Sequence, residues 1–369
     1  MSRLIIHVGT HKTGTTALQA FLSANRAPLD AMGVHYPDAT RFGLGKLGEI
    51  HHGVAAALAR GEGPFPGPLL RFRDHLRERL AGGAAVVLSS EAFYRHILPE
   101  GDEPEDEAAL WSLREAYLDR MAAYFAPLDP TISIYFRNPV ALAESKYANR
   151  TVATALRDDF PGFRRRTAWS YDYGRHLATL GARFPRVLAH SYEKSSRPSL
   201  IRNFFADHGL PEPPPAGDRR LRVALPNRAV LWIQRLKAEG RLADRKELRR
   251  RWHFALREEA QPLFAEAARS TFWESAEARQ AFFDRYGAPV AGIAFAAPAA
   301  DREGPRTTWD DGLHAAANAA YAAWLPANET RLRRREAAGI EPYDDVEATP
   351  AAAPPGGGLR RLLRRIGGS

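Results

Sequence analysis

Cysteine is absent from the 369-residue chain, which excludes disulfides and thiolate metal centres. No HExxH pair, zinc-type spacing or EF-hand loop occurs either, so no metal is expected. Long apolar runs are also missing. Nothing approaches the roughly 20 residues of a membrane-spanning helix. The N-terminal apolar run is too short for a signal-peptide core, and the expectation is a cytoplasmic protein. Acidic residues are in deficit, 43 against 52 Lys and Arg, for a net charge of +9. That balance suits an anionic cofactor, an acidic acceptor, nucleic acid or a membrane surface, and charge alone does not choose among them. What the chain does have is 45% hydrophobic residues, over a length sufficient for a large core plus a subsidiary region.

The stretch His7 to Asn25, HVGTHKTGTTALQAFLSAN, organises the rest. The apolar run Leu4 to Val8 reads as a buried strand, and Leu18, Phe21 and Leu22 recur at helical spacing from about Thr15. Between them lie Gly9, Gly14 and the turn Thr13 to Thr16. Strand, Gly/Thr turn and helix together make a phosphate nest, in which backbone amides converge on an anion at a helix N-terminus. A Walker A loop places Lys directly after its second Gly. Here Thr15 holds that position and the lysine comes earlier, at Lys12. The loop is therefore suited to phosphate but not to an NTP γ-phosphate.

Three more strand ends carry candidate chemistry. Ala84 to Leu88 is a buried strand followed by Ser89, Ser90 and Glu91. Glu91 is either a general base at a strand end or the carboxylate of a helix start capped by a serine. Thr131 to Phe136 is a strand followed by Arg137, then Asn138 as N-cap and Pro139 in the first turn of a helix through Tyr147. Arg137 and Ser145 could clamp a second phosphate; alternatively Arg137 pairs with a carboxylate such as Glu144. Val187 to Ser191 enters a turn at Tyr192 and Glu193, followed by a helix from Leu200 to His208 that ends at Gly209.

THKTGTT resembles the 5′-phosphosulfate loop of sulfotransferases that use 3′-phosphoadenosine 5′-phosphosulfate (PAPS). RNPVALAESKY resembles their 3′-phosphate signature, with Ser eight positions after the Arg. SSEAFY is similar to the segment of carbohydrate sulfotransferases whose Glu acts as base. The resemblance covers about residues 1–210. It implies a P-loop-like three-layer α/β/α fold with a central parallel sheet, plus additional C-terminal helices. It implies PAPS as co-substrate, with 3′,5′-ADP as product, held by His11, Lys12, Thr13, Gly14, Thr15, Thr16, Arg137 and Ser145, with Tyr192 near adenine. Lys12 and Glu91 would be catalytic, and the acceptor a hydroxyl, of carbohydrate type. His11, His51 and His52 are the alternative bases. His51 and His52 themselves read as polar residues of a surface turn.

Elsewhere, Gly33 to Pro37 reads as a short strand, and 41–68 as a long loop with a short helix near Val54 to Ala59. Leu69 to Leu80 and Leu110 to Phe125 read as helices, and Glu100 to Glu107 as an acidic turn. The expected domains are a nucleotide-binding core over 1–215, a mainly helical continuation over 216–345, and a linker with a basic tail over 346–369. Lys237 to Arg251 reads as one basic helix with a solvated face, and Leu263 to Tyr286 and His314 to Leu325 as helices. LRRLLRRI, 359–366, could make weak membrane-surface contact. Two rival readings are a P-loop kinase or NTPase, and a non-catalytic basic binder of nucleic acid or membrane. The first needs a lysine where Thr15 stands; the second lacks base-stacking aromatics in the Arg runs, so nucleic acid is not expected.

Overall fold

The computed structural model describes residues 3–10, 13–46, 48, 50–60, 63–95, 106–154, 156–197, 199–215, 225–242, 244–257, 260–265, 270–298 and 306–337. The chain forms two compact units. The first comprises Met1–Ala143, Arg164–Gly217 and Gln280–Pro298. The second comprises Glu144–Phe163, Asp218–Arg279 and Ala299–Ser369.

The first unit is a mixed α/β structure on a five-stranded parallel sheet. Its strands are β1 (Arg3–Gly9), β2 (Val34–His35), β3 (Ala85–Ser89), β4 (Pro130–Phe136) and β5 (Arg186–Ser191), in the order β2-β3-β1-β4-β5. Every pairing is parallel. The helices from the first strand to residue 207 are α1 (Thr15–Ala24), α2 (Arg26–Ala31), α3 (His52–Ala59), α4 (Gly67–Ala81), α5 (Ala92–Arg95), α6 (Glu107–Phe125), α7 (Pro139–Ala153), α8 (Phe160–Arg166), α9 (Tyr173–Gly181), α10 (Tyr192–Ser195) and α11 (Leu200–Asp207). Consecutive residues Leu4, Ile5 and Ile6 are all fully buried, as expected of a strand covered on both faces. On one face Ile5, Val87 and Tyr135 pack with Leu18 and Leu22 of α1 and Phe204 and Phe205 of α11.

Parallel pairing brings the C-terminal ends of β3, β1, β4 and β5 to one rim. Register keeps them level: His7 pairs with Ser89, Gly9 with Tyr135, and Phe136 with Ser191. The chain leaves β1 toward β2 and leaves β4 toward β5, in opposite directions along the sheet. Such a reversal opens a crevice between the two strand ends, the usual ligand position in open α/β sheets.

The second unit is helical, with most of α7, part of α8, α12 (Asn227–Ala238), α13 (Arg245–Ala255), α14 (Gln261–Phe264), part of α15 (Ala276–Tyr286) and α16 (Asp311–Ala337). Trp232, Phe254, Phe264 and Tyr321 form its aromatic centre. The expected basic helix over 237–251 is in fact two. Gly240, at φ 72°, breaks it after Ala238, where only a residue tolerant of the left-handed region fits. Nor is its face simply solvated. Arg250 and Arg251 are buried, Arg250 paired with Glu336 and Arg251 with Glu247. The helix expected over 263–286 is also interrupted, since 270–275 are irregular and Thr271 bridges to Arg306. The basic tail and most of the acidic turn lie outside the described residues.

Candidate active site

The loop after β1 is shaped by two glycines for different reasons. A Cβ on Gly9 would collide with the Thr15 hydroxyl and stand 3.1 Å from Cγ of Glu91. Gly14 adopts φ 75°, and a Cβ there would collide with Leu200 and stand 3.5 Å from the Tyr192 ring. The loop thus touches the ends of both β3 and β5. Thr10 anchors its start, donating its hydroxyl to the Tyr135 carbonyl on β4 at 2.7 Å.

Gly14 is the N-cap of α1 and supplies no side chain, so no side-chain hydrogen bond caps the helix. The first-turn amides thereby keep their partial positive charge toward the rim. Thr13 and Thr15 are 1% and 2% exposed, and neither hydroxyl oxygen has a hydrogen-bond partner in the structure. A buried, unpaired polar group costs about 1–3 kcal/mol. Two of them beside an uncapped helix start are what a bound anion would satisfy. Thr16 follows on α1 and is partly exposed.

Glu91 sits one residue beyond Ser90, at the start of α5. Ser90 caps that turn by accepting the Ala92 amide at 3.1 Å, and its own amide donates to the His7 carbonyl at 3.1 Å. The serine thus caps the turn, and Glu91 is half-buried beside the loop. Behind it, Ser89 Oγ lies 2.8 Å from His7 Nδ1 and 3.3 Å from Gln19 Nε2. His7 is buried, and burial lowers its pKa to about 4 despite the opposing charge of Glu91. It is neutral at pH 7. Sequence reading did not single out His7, because one histidine in an apolar strand carries no spacing signal.

Arg137 follows β4 directly. Its guanidinium carbon lies 5.5 Å from the centre of the Tyr192 ring. Asn138 Oδ1 accepts the amides of Val140 and Ala141, at 3.0 and 3.4 Å, which makes it the expected N-cap of α7. Glu193 then accepts the Asn138 amide at 2.7 Å. Glu144 accepts from Thr271 Oγ1 and the Phe272 amide within the second unit. Ser145 lies on α7 in the second unit.

The structure therefore gathers Thr13, Gly14, Thr15, Glu91, Arg137 and Tyr192 at one rim. His11 and Lys12 lie outside the described residues. His51 is not on a surface turn. It is fully buried, with Nε2 donating to the Pro37 carbonyl at 2.9 Å and Nδ1 accepting the Ser89 amide at 3.1 Å. Burial lowers its pKa to about 4. With both nitrogens committed to backbone, it is a structural residue and not a base. His52 is exposed at the start of α3. Among the described residues, no group of three or more His, Cys, Asp or Glu could hold a metal ion, and no helix is long and apolar enough to cross a membrane.

No protein-family model matches the chain, and no curated protein matches it. Among solved structures, a sulfotransferase from Alicyclobacillus acidocaldarius is similar over 66% of this chain and 95% of its own, at 17% identity and a TM-score of 0.34.

Proposed function

We propose that the chain is a PAPS-dependent sulfotransferase that moves the sulfuryl group to an acceptor hydroxyl, of carbohydrate type. One observation carries this reading. Two buried, unpartnered threonine hydroxyls and an uncapped helix start face a crevice that Glu91 and Arg137 flank at the neighbouring strand ends. A single anion grip would serve many nucleotides. A second cation one strand away suits a donor phosphorylated at two separated positions.

In this mechanism the amides and hydroxyls of Thr13 to Thr16 position the 5′-phosphosulfate end. Arg137 and Ser145 hold the 3′-phosphate, and the Tyr192 ring lies against adenine. Glu91 accepts the proton of the acceptor hydroxyl as its oxygen bonds to sulfur. The bond from sulfur to the bridging phosphate oxygen breaks at the same time. Lys12 neutralises the charge growing on that oxygen, which departs with 3′,5′-ADP. No metal takes part.

Titration calorimetry with 3′,5′-ADP tests the reading. Saturable binding that survives Mg²⁺ removal and is lost in Arg137→Ala is expected. Binding of Mg–ATP without 3′,5′-ADP would make the protein a P-loop kinase or NTPase instead.

A further inference from the structure

A second cavity opens in the first unit, with a volume of about 340 Å³. It lies where α6 and α9 begin and α15 ends. Trp169, Tyr171, Tyr173 and Tyr286 give it aromatic walls. Glu107, Asp172 and Arg285 add charge at its lining. The size falls within the range of small-ligand sites.

Contacts tie the walls of this cavity to the strand ends that flank the proposed nucleotide crevice. Tyr173, on its wall, donates its hydroxyl to the Arg137 carbonyl at 2.6 Å, and its ring stacks on Phe136 at 4.4 Å. From the Glu91 side, Tyr94 packs against His176 at 4.9 Å, and His176 Nε2 lies 3.1 Å from the Trp169 carbonyl. The walls are thus fixed to the strand ends on which the proposed chemistry depends.

We infer that this cavity is an acceptor subsite, holding a neutral or amino-bearing sugar ring one unit or more away from the hydroxyl that reacts. This rests on the sulfotransferase reading and specifies its acceptor. The partly exposed rings of Trp169 and Tyr286 match the C–H face of a pyranose, and the carboxylates and the guanidinium suit its equatorial hydroxyls. Sign of charge narrows the class further. The protein is +9 overall, yet here Glu107 and Asp172 are balanced by Arg285 and by Arg175, which Glu107 engages at 3.6 Å. Tyr286, half-buried, has its pKa raised chiefly by burial, with Arg285 opposing and Glu107 and Asp172 adding to the rise. Such a balanced lining offers no surplus cation to the carboxylate of a uronic acid or the sulfate of a sulfated sugar.

The test uses the full chain and three probes: chitotriose, its de-acetylated amine form, and trigalacturonate. Binding is followed by calorimetry, with 3′,5′-ADP affinity measured on every variant. The neutral and amino trisaccharides should bind and trigalacturonate should not. Trp169→Ala and Tyr286→Leu should each weaken that binding about tenfold, the scale of one lost aromatic contact, with 3′,5′-ADP affinity unchanged. In turnover with a chitooligosaccharide acceptor, KM should rise and kcat hold. Equal or tighter binding of trigalacturonate, failure of both other probes, or wild-type affinity in both variants would overturn the subsite. If 3′,5′-ADP still binds in those cases, the sulfotransferase reading stands without it. Loss of 3′,5′-ADP binding in the unmodified protein would instead remove that reading.

Discussion

The carboxylate of Glu193, just past β5, accepts the backbone amide of Asn138, just past β4, at 2.7 Å. It thereby ties together the strand ends that flank Arg137. Removing it leaves an amide short of its partner at a partly solvated position. Glu193→Ala should cost about 1 kcal/mol of stability and weaken 3′,5′-ADP binding severalfold. Glu193→Gln, which keeps an acceptor oxygen, should do less of both. Urea unfolding and calorimetry on the pair check this. Equal effects of the two variants would count against the tie.

Gly9→Ala adds one methyl where Thr15 and Glu91 already stand. Overpacking of this kind costs about 1–3 kcal/mol, and nucleotide binding should fall with it. The double variant Gly9→Ala/Thr15→Ala removes the colliding hydroxyl. Its stability should recover while 3′,5′-ADP affinity stays low, because the threonine oxygen is then missing. A double variant with full affinity would show that Thr15 holds nothing.

Lys12→Ala and Arg137→Ala should fail differently. Loss of one preorganised donor at a developing charge lowers kcat by about 100- to 1,000-fold, so Lys12→Ala should bind 3′,5′-ADP nearly as before yet turn over little. Arg137→Ala should mainly weaken donor and product binding. Single-turnover rates at saturating donor separate the two. Near-full turnover in Lys12→Ala would clear it of any catalytic role.

Glu91→Gln keeps shape and removes the base. Turnover should drop by about 100- to 10,000-fold, and the acid limb of the pH profile should flatten. An unaltered acid limb would move the base to His11 or His52, since His51 has no free nitrogen.

Three buried histidines predict acid sensitivity. Burial lowers the pKa of His7 and His51 to about 4 and of His208 to about 3. Unfolded histidine titrates near 6.5, so between these values the unfolded chain binds more protons. Stability is therefore full above pH 6.5 and is lost as pH falls toward 4. Each group contributes about 2 kcal/mol of that loss by pH 5. The slope of unfolding free energy against pH, measured in urea between pH 5 and 6, should correspond to at least two protons, since His253, also lowered to about 4, adds to the three. A flat response would mean that the three are solvated.

Much of the site was legible in the chain because it depends on local rules. An apolar run followed by two glycines and threonines dictates strand, nest and helix whatever surrounds them, and Asn138–Pro139 dictates a helix start. Glu91, Arg137 and Tyr192 could be named as strand-end residues for the same reason. Other facts had no local signal. His51 sits in a Gly-rich stretch that reads as loop, and only packing beside Ser89 made it core. Arg250 and Arg251 read as a solvated run until Glu336, 86 residues on from Arg250, and Glu247 paired with them. The cavity beside Tyr173 joins residues from 107 to 290, and no periodicity encodes that. The sequence by itself determined the first strand, its Gly/Thr turn and the helix that follows, since φ preference, capping and apolar spacing act over a few residues. Only the tertiary structure decided which strand ends share a rim, which charges are buried and what lines the second cavity. Those outcomes depend on strand order and register, which bring together groups far apart in the chain.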